Sequence, residues 1–97
     1  MKSGKRKVND KPFIENHQSL RVSTRLFTTE VLETELQWHF DLENRWVTPL
    51  CANDWCIQLD NELPTPFTTT IFIPKGVYHR IIKGTTDLLV KVIKENP

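Results

Sequence analysis

The sequence predicts a small all-β domain, closed or nearly closed into a barrel, running from about residue 27 to residue 95. Three observations carry that reading. Apolar and polar residues alternate with a period of two over residues 36–43, as in a strand whose two faces meet different surroundings. Short β-branched and aromatic runs recur after it, separated by turn-forming residues. No stretch has the period and length of a helix able to cover an open sheet. The sheet must then fold onto itself, which also removes exposed edges.

Taken in order, residues 1–11 hold Lys2, Lys5, Arg6, Lys7 and Lys11 against Asp10 alone, a net of +4, so the formal total of +1 leaves −3 on residues 12–97. This start reads as a flexible basic tail. A nucleic-acid reader backs such a tail with a basic face and exposed aromatics, and no such clustering follows, so nucleic acid is not an expected partner. Residues 12–29 read as an N-terminal arm or edge strand, with Phe13, Ile14, Leu20, Val22, Leu26 and Phe27 apolar and partial alternation over residues 20–25. Residues 30–97 are the barrel domain. Helix is weakly supported, its best short candidate being residues 29–36.

In the alternating run, Leu36, Trp38, Phe40 and Leu42 share one face and Gln37, His39, Asp41 and Glu43 the other. Two arrangements stay open. The polar face is either the wet outside of an antiparallel sheet, or a ladder of ligand-bearing side chains aimed into a barrel interior. Trp38 is expected in the core, the alternative being that it lines a ligand cavity. Residues 46–48 continue as a strand until Pro49, which cannot donate to a central ladder. Residues 52–54 read as a turn, and residues 55–59 as a strand with Trp55, Ile57 and Leu59 on one face. Residues 60–62 with Pro64 and Pro66 make a wider connection of polyproline character. Residues 69–73, 77–82 and 88–93 are the remaining strands. Pro74, Lys75 and Gly76 form the first intervening turn, where proline fixes φ and glycine accepts φ above zero. Residues 83–87 form the second.

At 97 residues the chain holds one domain and no second independent core. No apolar run is long enough for a spanning helix, and the lysine-rich start is not followed by the apolar segment of a signal peptide. The cytoplasm is the expected location and no membrane partner is expected. Cys51 and Cys56 read as free thiols, since two cysteines make neither a secreted scaffold nor a zinc site. Phosphate-loop, Walker and dinucleotide-binding signatures are absent from the sequence.

Residues 73–79, Ile-Pro-Lys-Gly-Val-Tyr-His, resemble the second conserved motif of the cupin superfamily: glycine, five residues, proline, one residue, glycine, two residues, histidine, three residues, asparagine. Pro74, Gly76 and His79 match, while Thr68 and Lys83 stand at the outer positions. The first cupin motif, His-x-His followed three or four residues later by Glu, is similar to residues 37–43, with His39 at the second histidine, Glu43 at the glutamate and Gln37 in place of the first histidine. The resemblance covers about residues 32–95 and implies a double-stranded β-helix, or jelly roll. It implies His39, Glu43 and His79 as ligands of one divalent transition metal, Fe, Mn, Ni or Zn, with Gln37 or Asp41 orienting water or substrate; Asp41, on the same face, is a substitute metal ligand that the family pattern does not predict but the alternation permits. The alternative is a metal-free cupin serving as a ligand-binding or structural module. The implied partners are a small molecule and a second copy in a homodimer. Whether the chain is an enzyme stays open at this point.

Overall fold

A computed structural model describes residues 11–95, and the basic tail, Lys11 apart, lies outside the described residues. Eight strands and one short 3-10 turn occur among them. The strands are β1 (Ile14–His17), β2 (Val22–Phe27), β3 (Arg45–Pro49), β4 (Cys56–Leu59), β5 (Thr65–Pro66), β6 (Ile71–Ile73), β7 (His79–Ile82) and β8 (Leu88–Lys94). They form a five-stranded sheet in the order β1-β2-β8-β3-β6 and a three-stranded sheet in the order β5-β4-β7, with every pair antiparallel.

Alternation decides which side of each strand faces the core. Leu88, Val90 and Val92 of β8 are all buried, as are Val47 of β3, Ile57 of β4 and Ile73 of β6. With Phe27, Trp55 and Phe67 these side chains fill the space between the sheets. Trp55 can be buried because its indole N–H donates to the Thr86 carbonyl at 2.6 Å. On the outer face Trp46 and Phe72 pair across β3 and β6, ring centroids 4.7 Å apart, and both stay partly exposed.

Several expectations change here. Residues 12–29, read as an arm or edge strand, hold β1 at the sheet edge, and also β2, an interior strand paired with β8 over six residues. The helix candidate at residues 29–36 reduces to the 3-10 turn Glu33–Glu35. The alternating residues 36–43 are not a strand. Only His39 pairs, through an isolated bridge to His79. Trp38 and Phe40 are 40% and 46% exposed, so the expected core position of Trp38 is corrected. Its ring lies against the Arg80 guanidinium, 4.8 Å from the centroid, which supplies by cation–π contact what the core does not. Cys51 and Cys56 are both free. No helix among the described residues is long and apolar enough to cross a membrane.

Candidate metal centre

The segment crossing the cavity mouth is held by the turn that precedes β7. Gly76 takes φ of 79°, a backbone conformation that glycine adopts without the clash of a Cβ. That turn donates twice to the crossing segment: Gly76 N–H to the Asp41 carbonyl at 2.9 Å, and Lys75 N–H to Asn44 Oδ1 at 2.8 Å. A further two-way backbone pairing joins His39 and His79, with N–H···O distances of 3.0 and 2.8 Å. The two imidazoles are thereby set side by side, ring centroids 4.2 Å apart.

His39, Asp41 and His79 each present one ligand atom, and those atoms all lie within 4.8 Å of one another. The Nδ1 atom of each histidine faces a carbonyl oxygen, that of Gln37 at 3.1 Å from His39 and that of Val77 at 2.9 Å from His79. A carbonyl only accepts, so each Nδ1 carries the proton and, in a neutral ring, each Nε2 keeps its lone pair. This is how imidazoles are oriented for ligation. His79 Nε2 lies 3.3 Å from Asp41 Oδ2, yet that buried oxygen has no hydrogen-bond partner. With His79 protonated this contact is an ion pair; with the ring neutral a lone pair faces the carboxylate oxygen, and a cation, whether the proton or a metal ion, removes that opposition.

Arg45 organises the acidic groups. One terminal guanidinium nitrogen lies 3.3 Å from Asp41 Oδ1 and Nε donates to Glu43 Oε2 at 2.7 Å. Burial pushes the Asp41 carboxyl upward, but a His79 imidazole that carries a proton on Nε2 and then the Arg45 guanidinium outweigh it, holding the group below its ordinary value. Partial desolvation at the cavity mouth pushes His39 down, favouring the neutral ring a metal needs.

The structure thus brings together His39, Asp41 and His79 of the sequence-predicted residues. Glu43 lies outside that group, held by Arg45. The Gln37 side chain donates to the Thr34 carbonyl at 3.1 Å, although the residue lines the cavity. Arg45 was not singled out in the sequence; its signal was the spacing of two and four residues from Glu43 and Asp41. The cavity holds about 450 Å³ and is walled by apolar residues including Phe27, Ile57, Phe67 and Val90. That volume suits a small organic ligand.

No protein-family model matches the sequence, and no curated protein matches it either. Solved structures do match. An RmlC-like cupin family protein with a double-stranded β-helix fold from Methanocaldococcus jannaschii superposes with a TM-score of 0.63 at 14% identity, covering 93% of this chain and 85% of its own. The chain has the cupin fold. A chain from crystal structures of the DMSP lyases RdDddP and RnDddQII is similar with a TM-score of 0.67 at 21% identity, over 82% of this chain. The Fe(II) form of HppE is similar at 0.58 and 14% identity, over 76% of this chain. This cupin-fold chain spans 40% and 41% of the length of those two structures.

Proposed function

We propose that this cupin-fold chain binds a small molecule in its barrel cavity through one divalent transition metal, Fe, Mn, Ni or Zn, held by His39, Asp41 and His79. The observation that carries the reading is the buried Asp41 Oδ2, without a hydrogen-bond partner and 3.3 Å from His79 Nε2. Two imidazoles and a carboxylate suit those metals, and the Nδ1 atom of each imidazole is held by a backbone carbonyl. Once bound, such a metal supplies a Lewis acid or an oxygen-activating centre. The chain's own groups do the positioning: Arg45 steadies Asp41 and keeps Glu43 occupied, and the apolar walls exclude water from the ligand's body. Glu43, the ligand implied by the first motif, joins only by giving up Arg45.

Isothermal titration of Ni(II), Mn(II) and Zn(II) into wild type, His79→Ala and Gln37→His tests this. Stoichiometric binding by wild type, lost in His79→Ala, supports it. Equal heats for those two proteins remove it, placing the ions on surface groups. Gln37 stands where the motif has a histidine, and this favours a second reading. If wild type binds nothing while Gln37→His binds stoichiometrically, the chain is a metal-free cupin serving as a binding or structural module.

The same proposal includes a homodimer in the cytoplasm, where the two free thiols stay reduced. It is supported by β1 at the sheet edge and by Ile14 and Leu20, which are 62% and 98% exposed. Light scattering that finds a monomer at high micromolar concentration removes the dimer.

A further inference from the structure

The cavity is also lined by Arg25 of β2. Its inward direction follows from alternation, since Ser23 and Phe27 on either side of it along the strand are both buried. Its register partners are Glu15 on β1 and Val90 on β8, and it lines the same cavity as His39, Asp41 and His79. Two contacts fix the plane of the guanidinium: Nε donates to Glu15 Oε2 at 2.9 Å, and the Phe13 ring centroid lies 4.3 Å from Cζ. Neither uses the two terminal nitrogens. Among the described residues those nitrogens make no hydrogen bond, although the side chain is only 16% exposed.

Glu15 does not serve Arg25 alone. That carboxylate is shared with Ser23 Oγ at 2.9 Å, with Lys11 at 3.8 Å and with His17 at 3.5 Å. Lys11 also lines the cavity. Glu35 lines it too, and it accepts the Leu32 N–H. An oriented guanidinium with a vacant fork, in a partly desolvated place, matches the planar geometry of a carboxylate. A mere strap between β1 and β2 would use Nε and the ring contact and would gain nothing from keeping the fork open toward a cavity.

We propose that the cavity takes a small carboxylate with an apolar body, its carboxylate gripped by the Arg25 fork and its other end reaching His39, Asp41 and His79. The proposal rests on the cavity being a small-molecule site, as above, but does not need the metal to be present.

The test is isothermal titration of the full chain with benzoate, phenylacetate and 4-phenylbutyrate, each against its carboxamide, with and without nickel. At least one acid is expected to bind about tenfold more tightly than its amide, the loss of a charge-assisted bidentate pair being of that order. Arg25→Gln should erase this preference and leave nickel binding unchanged. Arg25→Lys keeps the charge without the fork, and should retain only part of the preference, which covers the case in which the glutamine variant does not fold. The proposal is overturned if no acid binds, if acid and amide bind alike, or if either variant keeps the full preference. A variant that loses only thermal stability assigns Arg25 to strapping β1 and also overturns it. If nickel gives no heat while the Arg25-dependent preference persists, the metal reading fails and this inference stands.

Discussion

Replacing Asp41 by asparagine should separate binding from folding. Removing one member of a buried ion pair ordinarily costs about 3–5 kcal/mol, because the partner is left uncompensated. Here Arg45 keeps Glu43 at 2.7 Å, so its charge stays paired. The side-chain amide nitrogen introduced by Asp41→Asn would also face His79 Nε2, which accepts when the ring is neutral, and a net hydrogen bond gained is worth about 0.5–1.5 kcal/mol. The loss of the 3.3 Å contact between Arg45 and Asp41 offsets much of that gain. The metal-free variant is therefore expected within about 1 kcal/mol of wild type by urea unfolding at about pH 8.5, alkaline of the ordinary histidine range. The two proteins should part when nickel is added. At a hundredfold excess over Kd, wild type gains about 2.7 kcal/mol and the variant, lacking the anionic ligand, gains far less. A loss of about 3 kcal/mol or more in the metal-free variant, or an unchanged nickel increment, would refute the reasoning, since Asp41 would then be a structural anchor.

Two further outcomes follow from other parts of the fold. Burial pushes the Glu15 carboxyl up, but the hydrogen bonds from Arg25 and Ser23 and the charges of Arg25 and His17 bring it down from 4.5 to about 2, so its stabilisation is present above pH 4.5 and is lost as pH falls toward 2. Glu15→Gln should flatten that acid limb of the stability profile, and an unchanged limb would contradict the assignment. A Cβ on Gly84 would overlap Asp54 Oδ1 and sit 2.8 Å from Trp55 Cδ1. Gly84→Ala should then cost about 1–3 kcal/mol in denaturant, as overpacking does, with loss of the Asp54 bonds to the Thr85 N–H and hydroxyl, at 2.7 and 2.6 Å.

The strands were legible where a residue's surroundings repeat along the chain. The alternation Trp55, Ile57, Leu59 and the run Leu88, Val90, Val92 appear as stripes turned toward the core because each belongs to a sheet with one covered face. Residues 36–43 show the limit of that rule. Their alternation is real, yet the segment pairs only at His39, and Trp38 and Phe40 find Arg80 and Tyr78 on the surface in place of a core. A period of two records alternating surroundings and does not record whether a neighbouring strand is present. The turn at Pro74 and Gly76 could be read from its residues, and His79 was singled out by the resemblance of residues 73–79 to the second cupin motif. The exchange of Glu43 for Asp41 in the cluster could not, because it depends on the Gly76 N–H anchoring the Asp41 backbone and on Arg45 capturing Glu43, both settled in three dimensions. The two-residue strand β5, inside the proline-rich connection, likewise owes its existence to pairing with Cys56 and Ile57 and has no local signature.

The central claim is that His39, Asp41 and His79 form a cation site, and metal analysis of protein purified without an affinity tag tests it most directly. The account predicts about one transition-metal ion per chain in wild type after growth in metal-supplemented medium, and none above background in His39→Ala and His79→Ala, with all three proteins folded by circular dichroism. Metal-free wild type, or equal metal content in wild type and the two variants, would contradict it.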